Sequence, residues 1–258
     1  MTSARAFHGV SALLFLISAT VTVLWCASMA SMSRMSMPGG WTMSMAWMRM
    51  PGQTWTGAAV SFVGMWMVMM VAMMLPSLVP MLTRYRCAVA RSDEARLGRL
   101  TALVGAGYFF VWTLLGLVAF PVGVMVASIE MQVPSLARAV PAAIGVIVMV
   151  AGALQFTAWK ARHLACCRHS SSCGGSIRPD AATAWRHGIR LGIHCTHCCA
   201  GLTAILLVVG VMDLRAMAAV TVAITLERLA PGGQRVARLI GIFLVGIGSL
   251  LLTHEFCN

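Results

Sequence analysis

Seven apolar stretches constrain this chain more than any other feature. They lie at about 10–30, 57–82, 100–127, 139–159, 191–212, 214–230 and 239–254. A bilayer interior offers no partner to an exposed backbone N–H or C=O, so each stretch is expected to be a helix. About 20 residues of helix cross the hydrocarbon core, a length that most of the seven reach. Charged residues make up only 10% of the 258, against about 25% in an ordinary soluble domain. The expected fold is all-α: a polytopic transmembrane helical bundle of about seven spans.

The net charge of +12 comes almost entirely from arginine, and its placement assigns it to topology. With the N-terminus inside, the cytoplasmic segments hold fifteen of the nineteen basic residues, and only Arg34, Arg49, Arg138 and Arg215 fall outside. This bias predicts a cytoplasmic N-terminus and a C-terminus on the outer, periplasmic side. It also makes lipid the partner of the arginines. No basic domain interleaved with aromatics exists, which argues against nucleic acid. The first segment, ending in "ASMA", also has the outline of a cleaved signal peptide, which would leave six spans. Its apolar run of about 20 residues is long for that role and favours a retained helix. Two regions result: 1–56, the first helix and a Met-rich outer loop, and 57–258, a bundle with a Cys/His-rich cytoplasmic loop at 160–190.

Twenty-one methionines are unevenly spread. In the outer loop Met32, Met35, Met37, Met43, Met45, Met48 and Met50 recur between Pro and Gly. They suit either soft-metal capture or an interfacial segment resting on headgroups with Trp41, Trp47 and Trp55. In "MWMVMMVAMMLP" Met65, Met69 and Met73 lie four apart, and Met70 and Met74 make a parallel row. Such spacing stacks thioethers on one helix face, which would pass a soft monovalent ion, although Met is equally good core filler. Pro76 and Pro80 near the end of this segment release backbone carbonyls and kink it.

The sharpest signal is "GIHCTHCCAG", with five soft donors in six positions. On a helix Cys195, Cys198 and Cys199 share a face, and His194 and His197 lie one step around it. Histidine inside a membrane segment is costly and usually functional, so metal binding is the favoured reading over small-hydrophobe packing. The exit of the fourth segment supplies His163, Cys166 and Cys167 in the same rhythm. A tether of about 20 residues lets the two groups meet. Adjacent cysteines rarely bridge each other, so a disulfide framework is not expected. Glu227, with Arg228 beside it, is placed to pair with Lys160 or an arginine, and Asp213 reads as a helix cap.

Four motifs, "MVMMVAMMLPSLVPM", "LQFTAWKARHLACCR", "GIHCTHCCAGL" and "GVMDLRAMAAVTVAITLER", come in an order that resembles a bacterial family described as predicted metal-binding integral membrane proteins. The resemblance spans roughly 60–255. It places the family's AMM-P motif on Ala72, Met73, Met74 and Pro76, and its Q–K–C–C run on Gln155, Lys160, His163 and Cys167. The C-x-x-C-C motif falls on Cys195, Cys198 and Cys199, and the E-K pair on Glu227 and Arg228. His163 stands where the family has Cys, Ala200 where Trp is usual, and His194 and His197 are additions.

The expected function is therefore binding of a soft transition metal, copper favoured and zinc possible, for transport, delivery or homeostasis. The expected metal residues are Cys195, Cys198, Cys199, His194, His197, His163, Cys166, Cys167, Met65, Met69, Met73 and Met74. A metallochaperone or a metal-requiring membrane complex would be the protein partner. A membrane thiol redox protein or sensor, and an assembly subunit of a membrane complex, are the alternatives. No ATP-binding or phosphorylation motif is present, and an enzymatic role is not favoured.

Overall fold

A computed structural model describes residues 2–30, 35–37, 41–43, 45–49, 52–89, 94–169 and 179–257. Its helices are α1 (Thr2–Ala30), α2 (Trp55–Ala88), α3 (Glu94–Gln132), α4 (Pro134–Leu154), α5 (Ala158–His169), α6 (Ala181–Val209), α7 (Leu214–Leu229) and α8 (Gly233–Cys257). Between α1 and α2 a two-residue ladder pairs β1 (Met35–Ser36) with β2 (Thr42–Met43), followed by a 3-10 turn at Met45–Trp47. The fold is the expected all-α bundle. Six helices, α1 to α4, α6 and α8, are long and apolar enough to cross a membrane. α7 has 16 residues. At 1.5 Å per residue it reaches ~24 Å, short of a hydrocarbon core of ~30 Å.

Local sequence sets the helix ends. Thr54 caps α2 by accepting the Gly57 N–H at 3.1 Å. Asp180 caps α6 through Thr183 N–H at 3.2 Å. Asp213 accepts the Arg215 and Ala216 N–H groups at 2.8 and 2.9 Å, as its position in the sequence suggests. Each cap satisfies donors that the first turn leaves unpaired. Gly210 ends α6 at φ +135°, a conformation other residues rarely take.

Two differences from the sequence reading matter for the site. Much of the stretch 160–190, read as a loop, is helical: α5 fills its start and α6 begins at Ala181. Arg186, His187 and Arg190 interrupt the apolar pattern but not the backbone hydrogen bonding, so the helix runs on through them. Cys195 therefore lies near the middle of α6, not at the mouth of a span beginning near 191.

Small residues bring the helices together, as common in membrane bundles. A Cβ at Gly188 of α6 would overlap the Val104 carbonyl of α3, and one at Gly107 would stand 2.7 Å from the Trp185 carbonyl. The α4–α8 contact is built alike around Gly145, Gly152, Gly241 and Gly248. Gly105 and Gly246, by contrast, meet nothing nearby. α2 is the most deeply buried of the six long helices, with Trp66 fully buried and its Nε1 donating to the Trp112 carbonyl at 2.9 Å. Leu16, Leu24, Leu239, Phe243 and Leu250 point outward, as a lipid-facing surface requires.

The segment before α2 packs onto the bundle end. Trp41 Nε1 donates to the Ala137 carbonyl at 2.8 Å, Met37 is buried beside Ala127 and Ala137, and Trp47 lies 5.1 Å from the Phe62 ring. Met32 and Met50 lie outside the described residues, as do the side chains of Met35, Met43 and Met45.

Candidate metal centre

The helical rhythm of α6 turns Cys195, Cys198 and Cys199 inward, all buried, against α2, α3, α5 and α7. Cys167 of α5 is buried with them. The sulfurs form a row in which neighbours lie near enough to act on one another: Cys167 with Cys198, Cys198 with Cys199, and Cys199 with Cys195. At the Cys195 end, the Tyr108 hydroxyl lies 2.8 Å from Sγ and the Met74 thioether 4.0 Å. Among the described residues all seven cysteines are free thiols.

Fixed charge surrounds the row. The Arg228 guanidinium, 5% exposed, donates to Cys195 Sγ at 2.8 Å, to Cys199 Sγ at 3.3 Å and to Ser77 Oγ at 3.2 Å. Lys160 Nζ donates to Glu227 Oε2 at 2.7 Å and to the Cys198 carbonyl at 2.6 Å. Gln155 Nε2 donates to the other Glu227 oxygen at 3.0 Å. Burial works to lower the Lys160 pKa, but the Cys198 sulfur and the Glu227 carboxylate more than offset it, so Lys160 remains an ammonium. An arginine keeps its proton in any protein interior. Two buried cations thus face one carboxylate.

The histidines part company with the thiols. His163 and His197 stack with centroids 5.0 Å apart, His194 lies 5.7 Å from His163, and Trp159 closes the group at 4.8 Å from His163. His197 Nδ1 bonds the Ile193 carbonyl at 2.8 Å. The buried Nδ1 atoms of His163 and His194 have no hydrogen-bond partner. Burial, and then the neighbouring His197, lower the His163 pKa. Cys166 is exposed, because one step along α5 turns it away from the face that carries Cys167.

The expectation that cysteine and histidine donors converge on one point is therefore corrected. Among the described residues no group of three or more His, Cys, Asp or Glu side chains is arranged as a shell for a metal ion. The thiols run in a row with a guanidinium against them, and the imidazoles gather separately beside Trp159. The α2 methionines do face inward: Met65, Met69, Met70, Met73 and Met74 are all buried. Met74 reaches the thiol row, with its Sδ 4.0 Å from Cys195 Sγ.

Sequence reasoning missed Tyr108 altogether and gave Arg228 no contact with sulfur. Tyr108 had a signal, since it is one of only two tyrosines and its hydroxyl sits in an otherwise apolar span. The partner of Arg228 had none, because no spacing rule relates α7 to α6.

Fold and site together define a helical, membrane-span-rich protein with a sulfur-lined interior, a soft-donor chemistry suited to Cu(I). Residues 63–251, well over half of the chain, match the PpoB2 copper chaperone family, and the chain belongs to it. The match covers the α2 methionines and every cysteine of the buried row. It supports a copper-related function and narrows the metal-binding family expected from the four motifs. No curated protein matches, and no solved structure matches.

Proposed function

We propose that this chain is a membrane-embedded copper chaperone that holds Cu(I) on its buried thiol row and passes it to an acceptor. Charge balance carries the reading. Lys160, Arg228 and Glu227 leave a surplus of one positive charge in a buried site. Cu(I) bound by two thiolates is a complex of charge −1, which cancels that surplus. Zn(II) reaches the same −1 only with three thiolates, whereas Arg228 donates to two sulfurs, Cys195 and Cys199. Cys195 and Cys199 are the favoured pair, since Arg228 donates to both and the Met74 thioether lies beside the first. Cys198 and Cys167 continue the row as positions for exchange. The guanidinium then acts as an outer donor that steadies the ligating sulfurs.

The buried Met face of α2 is the proposed route between the row and the bundle end where α2 begins. The lopsided arginine distribution supports a cytoplasmic N-terminus and a bacterial inner-membrane location. A metallochaperone or a metal-requiring membrane protein would be the acceptor.

Elemental analysis of detergent-purified protein, reconstituted with Cu(I) under reducing conditions, tests this reading. Stoichiometric copper in the parent, lost in Cys195→Ser/Cys198→Ser/Cys199→Ser, is the expected result. A parent that stays empty sinks it. If that parent instead cycles a disulfide reversibly, thiol redox chemistry takes its place.

A further inference from the structure

A second group of sulfurs lies away from the row, toward the bundle end where α1 closes and α2 begins. Cys26 of α1 is 4% exposed, and its Sγ lies 3.8 Å from the Met212 Sδ, in the turn between α6 and α7. The two line a cavity of about 10 Å³ together with Met65 and Met69. That is room for about one water-sized particle. Its other walls are Thr22, Trp25 and Val68, so no charged side chain lines it, and the Asp213 carboxylate beside Met212 acts on Cys26 from behind the wall. A wider, half-open cavity of about 260 Å³ adjoins it, sharing Trp25, Met65 and Met212 and adding Met29, Met48 and Gln53. Met48 brings the segment before α2 to this vestibule. Cys26 lies outside the residues that match the copper chaperone family.

We propose that Cys26, Met212, Met65 and Met69 form a separate Cu(I)-binding site, where the ion rests before it moves along α2 to the thiol row. This rests on the copper reading above and adds a place of entry to it. The chemistry differs from the row in a way the surroundings match. The ion displaces the Cys26 proton, which leaves through the half-open cavity, and a copper–sulfur bond replaces the S–H bond. One thiolate and neutral thioethers around Cu(I) make a complex of net charge zero. A pocket walled by uncharged side chains holds a neutral complex without a counter-ion, whereas the row, with its surplus cation, calls for an anionic one. Thioethers also bind without deprotonation, so the site loads and unloads with the movement of a single proton. From Met69, the inner edge of this site, to Met74, five residues along α2, the rise is ~7.5 Å, so the two sites are distinct and Met70 and Met73 lie between them.

The test uses the full chain in detergent with Ag(I) as a redox-inert stand-in for Cu(I), and reads each site separately. Alkylation of Cys26 by a maleimide, followed by peptide mass spectrometry, is expected to be blocked by Ag(I) in the parent. The block should persist in Cys195→Ser/Cys198→Ser/Cys199→Ser, which has no inner site. Met212→Leu keeps the packing volume and is expected to weaken the protection of Cys26 about tenfold in Ag(I) concentration, without loss of copper from the row. Alkylation of Cys26 that ignores Ag(I) in both proteins, while the row still binds copper, overturns the outer site and leaves the chaperone reading standing. A mature protein that begins after residue 26 overturns it as well. A parent that protects neither Cys26 nor the row removes both readings together.

Discussion

Glu227 is the residue whose replacement tests the buried charge arrangement most directly. Glu227→Gln keeps the shape and can keep the bond from Gln155, but it leaves Lys160 and Arg228 as two uncompensated cations, 5% or less exposed. Lys160→Met removes the ammonium instead and leaves one guanidinium facing one carboxylate, a balanced remainder. Breaking a buried pair by removing one partner costs about 3–5 kcal/mol, because a charge is stranded. The full cost is expected for Glu227→Gln and a smaller one for Lys160→Met. At about 2–4 °C per kcal/mol for a chain of this size, Glu227→Gln should melt on the order of 10 °C below the parent. The assay is thermal unfolding of copper-free protein in detergent under reducing conditions, at matched scan rates. Adding Cu(I) should recover more stability in Glu227→Gln than in Lys160→Met, since an anionic copper–dithiolate offsets the stranded cation. If Lys160→Met proves the less stable of the two, or both melt with the parent, the charge reasoning behind the copper site is wrong.

Other outcomes follow from the same geometry. Gly188→Val drives a side chain into the Val104 carbonyl and should cost about 1–3 kcal/mol as overpacking, read as a lower melting temperature, while Gly105→Ala, which faces open space, should not. Tyr108→Phe removes a hydroxyl 2.8 Å from Cys195 and should cost about 1 kcal/mol while leaving copper stoichiometry intact, checked by melting and elemental analysis. The Asp180 carboxylate is held below its ordinary pKa of 3.8, chiefly by its hydrogen bond to Thr183, so its cap is intact at neutral pH and is lost as pH falls through that lowered value. Asp180→Ala should reproduce the acid effect at pH 7 as faster amide exchange at 181–184, with no change at the α7 cap. Cu(I) at 100 times its dissociation constant should stabilise the parent by about 2.7 kcal/mol and the triple serine variant by far less, measured as a melting shift.

The bundle was legible because apolar length and the demand for internal backbone bonding leave helices as the solution. α5 was not, since "AWKARHLACCRH" is polar and its helix is held by packing on α6 and α7. The start of α6 hid for a related reason: Arg186 and Arg190 look like a loop until Asp180 is seen as its cap. At the site, the spacing of Cys195, Cys198 and Cys199 placed three thiols on one face, and the motif order brought Cys167 and Lys160 into the discussion. Which way the histidines turned was not fixed by spacing. His194 and His197 lie close enough to the cysteines around the helix to face either neighbour, and α5 with Trp159 decides it. Contacts between helices far apart in sequence, such as Tyr108 with Cys195 or Cys26 with Met212, leave no mark in a single chain's local pattern.

The 16-residue length of α7 has a consequence for a bilayer built around the bundle. In a bilayer, a segment ~6 Å shorter than the hydrocarbon layer would draw the headgroup boundary inward on its side of the bundle. The turn after α7 borders an open hollow of about 680 Å³ against α5, lined by Ala161, Leu164, Pro231 and Gln234. Leu164 belongs to the same helix as Cys167, so this hollow would bring solvent toward the thiol row from the α5 flank. An acceptor of the kind proposed above would then meet water, not lipid, on that flank.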